Sequence, residues 1–198
     1  MRARKLAPEK IAIHIADLAT AEEPRRSSTN TMAMAQYQVL AGRLLDDERR
    51  DAAVGVFEGV IAVDPDDADA HNNKGFCLLP DDPAVALEAL EMARDLDYEP
   101  QIINIANRVT ALLLLGRFTA ANDLAESGYM RFQDSESVRA TLWDPDTLER
   151  DPTTVHIFDT VVFVADLGIF IARVVGDETL EERWAARKSL RAESLASS

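Results

Sequence analysis

Cysteine is almost missing: Cys77 is the only one in 198 residues. A lone cysteine excludes an internal disulfide and a cysteine metal cluster, and it points to a reducing compartment, the cytoplasm. Histidine is nearly as scarce, and His14, His71 and His156 stand far apart along the chain. Neither a phosphate-cradling glycine loop nor a Gly-x-Ser-x-Gly turn occurs, so no catalytic constellation is expected and the chain reads as a non-enzyme. Asp64, Asp66, Asp67 and Asp69 crowd one loop, but the central glycine and terminal glutamate of a calcium loop are absent, so neither metal nor cofactor is expected. Met1-Arg2-Ala3-Arg4-Lys5 is basic like an export signal, yet Lys10, His14 and Asp17 interrupt the apolar residues after it and no export signal is read.

Basic charge is in short supply too, with 21 Lys and Arg against 35 Asp and Glu for a net charge of -14. Residues 32–153 hold 24 of the acidic groups and only 10 of the basic ones. Such a surface repels phosphate backbones and anionic lipid heads, so nucleic acid is not an expected partner and a basic protein segment is.

What the chain does have is a repeat. Tyr37, His71 and Ile105 follow one another at steps of 34, as do Leu44, Leu78 and Leu112 and the trio Ala41, Gly75 and Val109. Each copy continues into a second apolar pattern, Ala53/Phe57/Val60, Ala86/Leu90/Ala93 and Ala121/Ala125/Gly128. This is one helix-turn-helix unit written three times, which predicts an all-α chain in which consecutive hairpins share one interior. The division is a short N-terminal helix and linker over 1–31, three repeats over 32–133, and a helical extension over 134–198. Within the first part, residues 20–31 gather Pro, Ser and Thr without apolar periodicity and read as the linker.

The bulky slot (Tyr37, His71, Ile105), the small residue (Ala41, Gly75), the second bulky slot and the alanines Ala53, Ala86 and Ala121 together resemble the tetratricopeptide repeat family over roughly residues 34–132. Val109, Ala125, Gly128 and Tyr98 depart from the family pattern. The resemblance implies a right-handed stack of three hairpins, an α-solenoid, whose first helices line a concave groove. It places Gln38 and Leu45 of unit one, Asn72, Asn73 and Phe76 of unit two, and Ile103, Asn107, Thr110 and Leu113 of unit three in that groove. Some family members clamp a peptide carboxylate with Lys, Asn and Arg, and only Asn73 matches that set. A groove that is apolar with amides suits instead a peptide or amphipathic helix, which makes the protein a binding scaffold or adaptor. The groove could equally be filled by one of the chain's own terminal helices.

Beyond residue 132 the period is lost. Ser135 to Trp143 is read as a short helix, and Asp144-Pro145 and Asp151-Pro152 as N-caps each followed by proline in the first helical position. The second of these opens a helix over 152–175, Gly176 closes it, and a last helix runs from Glu178 to Ala196, a hairpin that caps the array. Between Val155 and Val175, 13 of 21 residues are Val, Ile, Leu or Phe. In a membrane these contribute about -6 kcal/mol, whereas Asp159, Asp166 and Arg173 cost about +9 kcal/mol together, so no membrane span is expected. The three charges recur every seven residues along one line, so the helix is wet on that line and buried elsewhere. Its apolar surface is expected either to cover unit three or to join two copies as a homodimer, the alternative role being a self-associating subunit.

Overall fold

The computed structural model describes residues 49–148 and 150–197. The first helix of unit one, with Gln38 and Leu45, lies outside the described residues, as does the expected N-terminal helix and linker. From Arg49 onward the chain is mostly helical. The order is α1 (Arg50–Val63), α2 (Ala68–Leu78), α3 (Pro83–Asp95), α4 (Gln101–Leu114), α5 (Phe118–Phe132), β1 (Ala140–Trp143), β2 (Thr154–Ile157), α6 (Thr160–Val175) and α7 (Glu178–Ala196).

Aspartates start several of these helices. Asp67 accepts the Ala70 N–H at 2.8 Å to open α2, Asp82 accepts the Val85 N–H at 3.2 Å with Pro83 inside the first turn of α3, and Asp177 accepts the Leu180 N–H at 2.9 Å to open α7. Each supplies an acceptor to a first-turn donor that has no partner within the helix. Two turns require glycine: Gly116 between α4 and α5 at φ 68° and Gly176 after α6 at φ 71°, both left-handed positions that a side chain would strain.

Each helix from α1 to α6 packs against the next helix along the chain, and α6 also reaches back to α4. One apolar cluster joins α1 to α2 through Ala53, Val56, Phe57, Val60, Ala70 and Cys77. A larger one runs from α3 to α7 and takes in Leu142 and Trp143 of β1, while Phe76 packs against both clusters. Trp184 of α7 is fully buried, its indole edge-on to Tyr129 at 6.0 Å and its Nε1–H donated to Asn122 Oδ1 at 3.0 Å. Gly168 of α6 leaves room for that indole: a Cβ there would lie 2.2 Å from Trp184 Cδ2.

Two expectations are corrected. The short helix over Ser135 to Trp143 is absent, and Ala140–Trp143 forms β1; the helix over 152–175 begins only at Thr160, with β2 before it. The two strands pair antiparallel, Ala140 with Ile157, Thr141 with His156, Leu142 with Val155 and Trp143 with Thr154. The physical reason is a period of two: Val138, Ala140 and Leu142 alternate with Arg139 and Thr141, and Val155 and Ile157 alternate with Thr154 and His156. The two Asp-Pro pairs bracket the connection between strands rather than capping helices. Asp144 donates its N–H to Thr153 O at 2.9 Å and accepts from Asp146 N at 3.1 Å, an aspartate-stabilised turn. The cap of α6 is Asp159, which accepts the Val162 N–H at 2.8 Å.

The line of charges on α6 faces α7. Asp159 pairs with Arg191, Asp166 with Lys188 and Arg173 with Glu181, in antiparallel order. The first pair is buried, Arg191 at 3% and Asp159 at 5% exposure, and Arg191 also donates to Gln133 O at 2.8 Å. Most of the apolar surface of α6, including Val161, Phe163, Val164, Leu167 and Ile171, is buried within this chain. No described helix is long and apolar enough to cross a membrane.

Candidate docking surface

The first helix of one hairpin, α2, meets the first helix of the next, α4, and a buried amide joins them. Asn104 donates one Nδ2 hydrogen bond to Asn72 Oδ1 at 3.2 Å and another to Leu90 O at 2.9 Å, so a single side chain spans α2, α3 and α4. A buried carbonyl robbed of such a donor costs about 1–3 kcal/mol, so the bond fixes how the two hairpins sit together.

The seven described residues expected in the groove divide. Asn72, Asn107, Thr110 and Leu113 are buried. Thr110 returns its hydroxyl to Ala106 O at 3.0 Å, as a threonine inside a helix does when it has no other partner. Asn73, Phe76 and Ile103 remain half-buried, so part of their surface stays open.

The chain itself covers much of this face. β1 lies against α4, and Trp143 stacks on Phe76 with ring centroids 5.3 Å apart and an interplanar angle of 25°. The Trp143 Nε1–H donates to Phe76 O at 2.7 Å, and the Arg50 guanidinium of α1 lies 5.5 Å from the Trp143 ring centroid. Arg50 also bonds Asp81 through Nε at 3.2 Å, beside a cavity of about 380 Å³ lined by Arg49, Arg50, Asp51, Ala52 and Asp81. Elements α1, α2 and β1 therefore converge on one aromatic contact.

Burial shifts several neighbouring titratable groups. It pushes the Cys77 thiol up to about 12 despite the nearby Arg50 charge, and so disfavours the thiolate. Burial, with a contribution from Asp69, likewise pushes Tyr98 up to about 12. Asp69 is raised from its ordinary value by burial first and by the Asp67 charge second. His71 is held at the start of α2 by its Nε2 contact with Pro65 O at 2.9 Å. Asp64, Asp66 and Asp69, in the turn before α2 and in its first turn, are exposed.

No known family model matches the chain, and no curated protein matches it either. Three contributors to the face escaped sequence reasoning. Asn104 sits one residue before the bulky slot Ile105, where periodicity attends to apolar neighbours. Arg50 looks like any solvated charge at a helix start. Trp143 carried a usable signal, since it ends the alternating run from Val138 that marks a strand.

Proposed function

We propose that the protein is a docking scaffold built from tetratricopeptide-like hairpins stacked in a right-handed array, acting by holding a partner segment rather than by bond chemistry. The partner is a peptide or amphipathic helix of basic character, laid along α2 and α4 in the cytoplasm. One observation carries this reading: consecutive helical hairpins are locked into a single frame by Asn104, and Asn73, Phe76 and Ile103 keep part of their surface open on it. The acidic surface supplies the sign of the partner's charge. Asn107, Thr110 and Leu113 support the frame from within and reach a partner only if what covers them moves.

The test is a comparison of the full chain with an Asn73→Arg variant, each immobilised and exposed to native lysate. Asn73 lies one turn before Phe76 on α2, and an arginine there blocks the face and opposes a basic ligand without entering the core. The expected outcome is loss of a specific captured protein with helicity and melting temperature unchanged. Capture of the same set by both forms ends the reading.

A further inference from the structure

Resting on the docking reading above, we propose that β1 and β2 form a strap over the docking face, which opens as a unit to bare Phe76 and the covered side of α4 while the helices stay in place. A two-stranded hairpin is at best marginally stable alone, so this one stays down because of what its side chains touch. Its side chains meet two neighbours: Leu142, with Ala140, Val155 and Ile157 packed beside it, enters the large core, and Trp143, 5% exposed, holds Phe76 by stacking and by its 2.7 Å hydrogen bond. The outward side carries Thr141, Thr154 and His156, all exposed, with Thr141 Oγ1 and His156 Nδ1 2.9 Å apart.

The entrance and exit of the strap are also tied to each other. Val138 O accepts both the Thr160 N–H at 2.9 Å and the Thr160 hydroxyl at 2.7 Å, and Ser137 donates to Asp159 at 2.7 Å. This neck fixes the start of α6 independently of the strands, so releasing Trp143 does not unseat the helix. A partner with an aromatic side chain for Phe76 competes with Trp143 for the same ring face.

The experiment is native-state hydrogen exchange on the full chain, wild type against Trp143→Phe and Trp143→Ala, with no partner present. The expected result is that strand amides exchange through an opening that leaves α4 and α5 protected. Trp143→Phe, which keeps a ring but loses the bond to Phe76 O, speeds strand exchange by roughly tenfold, and Trp143→Ala by roughly a hundredfold or more, with α4 and α5 amides changing far less. Strand amides that exchange only together with α4, in the wild type and the phenylalanine variant alike, would make the strands a fixed part of the core and overturn the strap. Because no ligand enters the measurement, failure here is distinct from failure of the capture experiment.

Discussion

The hairpins α2–α3 and α6–α7 solve one packing problem with different chemistry. In each, an aspartate caps the first helix and a glycine within that helix admits a large side chain from the second, Gly75 facing Leu90 and Gly168 facing Trp184. The first hairpin has α1 on one side and α4 on the other. Among the described residues no ion pair joins its two helices, and apolar contact holds it. The second has described neighbours on one side only, and three charge pairs line its seam. The α2–α3 hairpin can leave alignment to its neighbours, whereas α6–α7 carries alignment in its own charges, where a slip of one turn would set unlike partners apart.

The largest expected effect falls on the buried pair. Arg191→Met leaves the Asp159 carboxylate buried without its cation and should lower unfolding free energy by about 3–5 kcal/mol in urea titration. Arg191→Met combined with Asp159→Asn, which keeps a capping side chain, should recover a large part of that. If the single change costs as little as an exposed pair does, the contrast between the two hairpins collapses.

Next come the glycines. Gly168→Ala drives a Cβ to within 2.2 Å of a rigid indole, and Gly75→Ala to 2.5 Å of Leu90 Cγ and 2.9 Å of the Ala86 carbonyl. We expect about 3 kcal/mol for the first and about 2 kcal/mol for the second, since an indole has less room to yield than a leucine. Equal melting shifts would mean that the two seams relax alike.

Acid provides a smaller and more selective probe. Burial of Asp159 would raise its carboxyl, but hydrogen bonds from Arg191, the Val162 N–H and Ser137, with the Arg191 charge, outweigh burial and hold it below its ordinary 3.8. A group depressed in the folded state binds its proton more readily when unfolded. Its contribution is therefore full above that ordinary value and is lost as pH falls through 3.8 toward the folded value. Asp159→Asn should flatten this part of the stability profile; an unchanged slope below about pH 4 would assign the acid sensitivity elsewhere. At the small end, Glu58→Gln removes the 3.0 Å pair to Lys74 between α1 and α2, where Glu58 is 56% exposed. It should shift stability by less than about 1 kcal/mol.

The helices were legible because two independent signals coincide in them, apolar residues at steps of three and four and an Asp, Pro or Gly at the ends; Gly176 marks a boundary that the structure keeps. The strands were misread because Ser135 to Trp143 and Thr154 to Ile157 are short, and each Asp-Pro pair, sound as a helix cap, serves as well beside a turn. The candidate docking face was legible as a set of positions but not as a surface. The resemblance to the repeat family implied that Asn107 and Thr110 line a groove, without showing that the folded chain would bury them. The line of Asp159, Asp166 and Arg173 was visible as a stripe, yet its meaning depended on Glu181, Lys188 and Arg191, which no periodicity within α6 could reveal.

The two hydrogen bonds of Asn104 also set a rule for tolerated change in length. One residue inserted between Gln101 and Asn104 would turn this side chain by about 100° around the α4 axis, pulling both donors away from Asn72 and Leu90 together. The same insertion in the exposed turn at Asp81 would leave the amide where it is. The turn at Asp81 can therefore lengthen where the start of α4 cannot, and a ruler one side chain long sets the spacing between α2–α3 and α4.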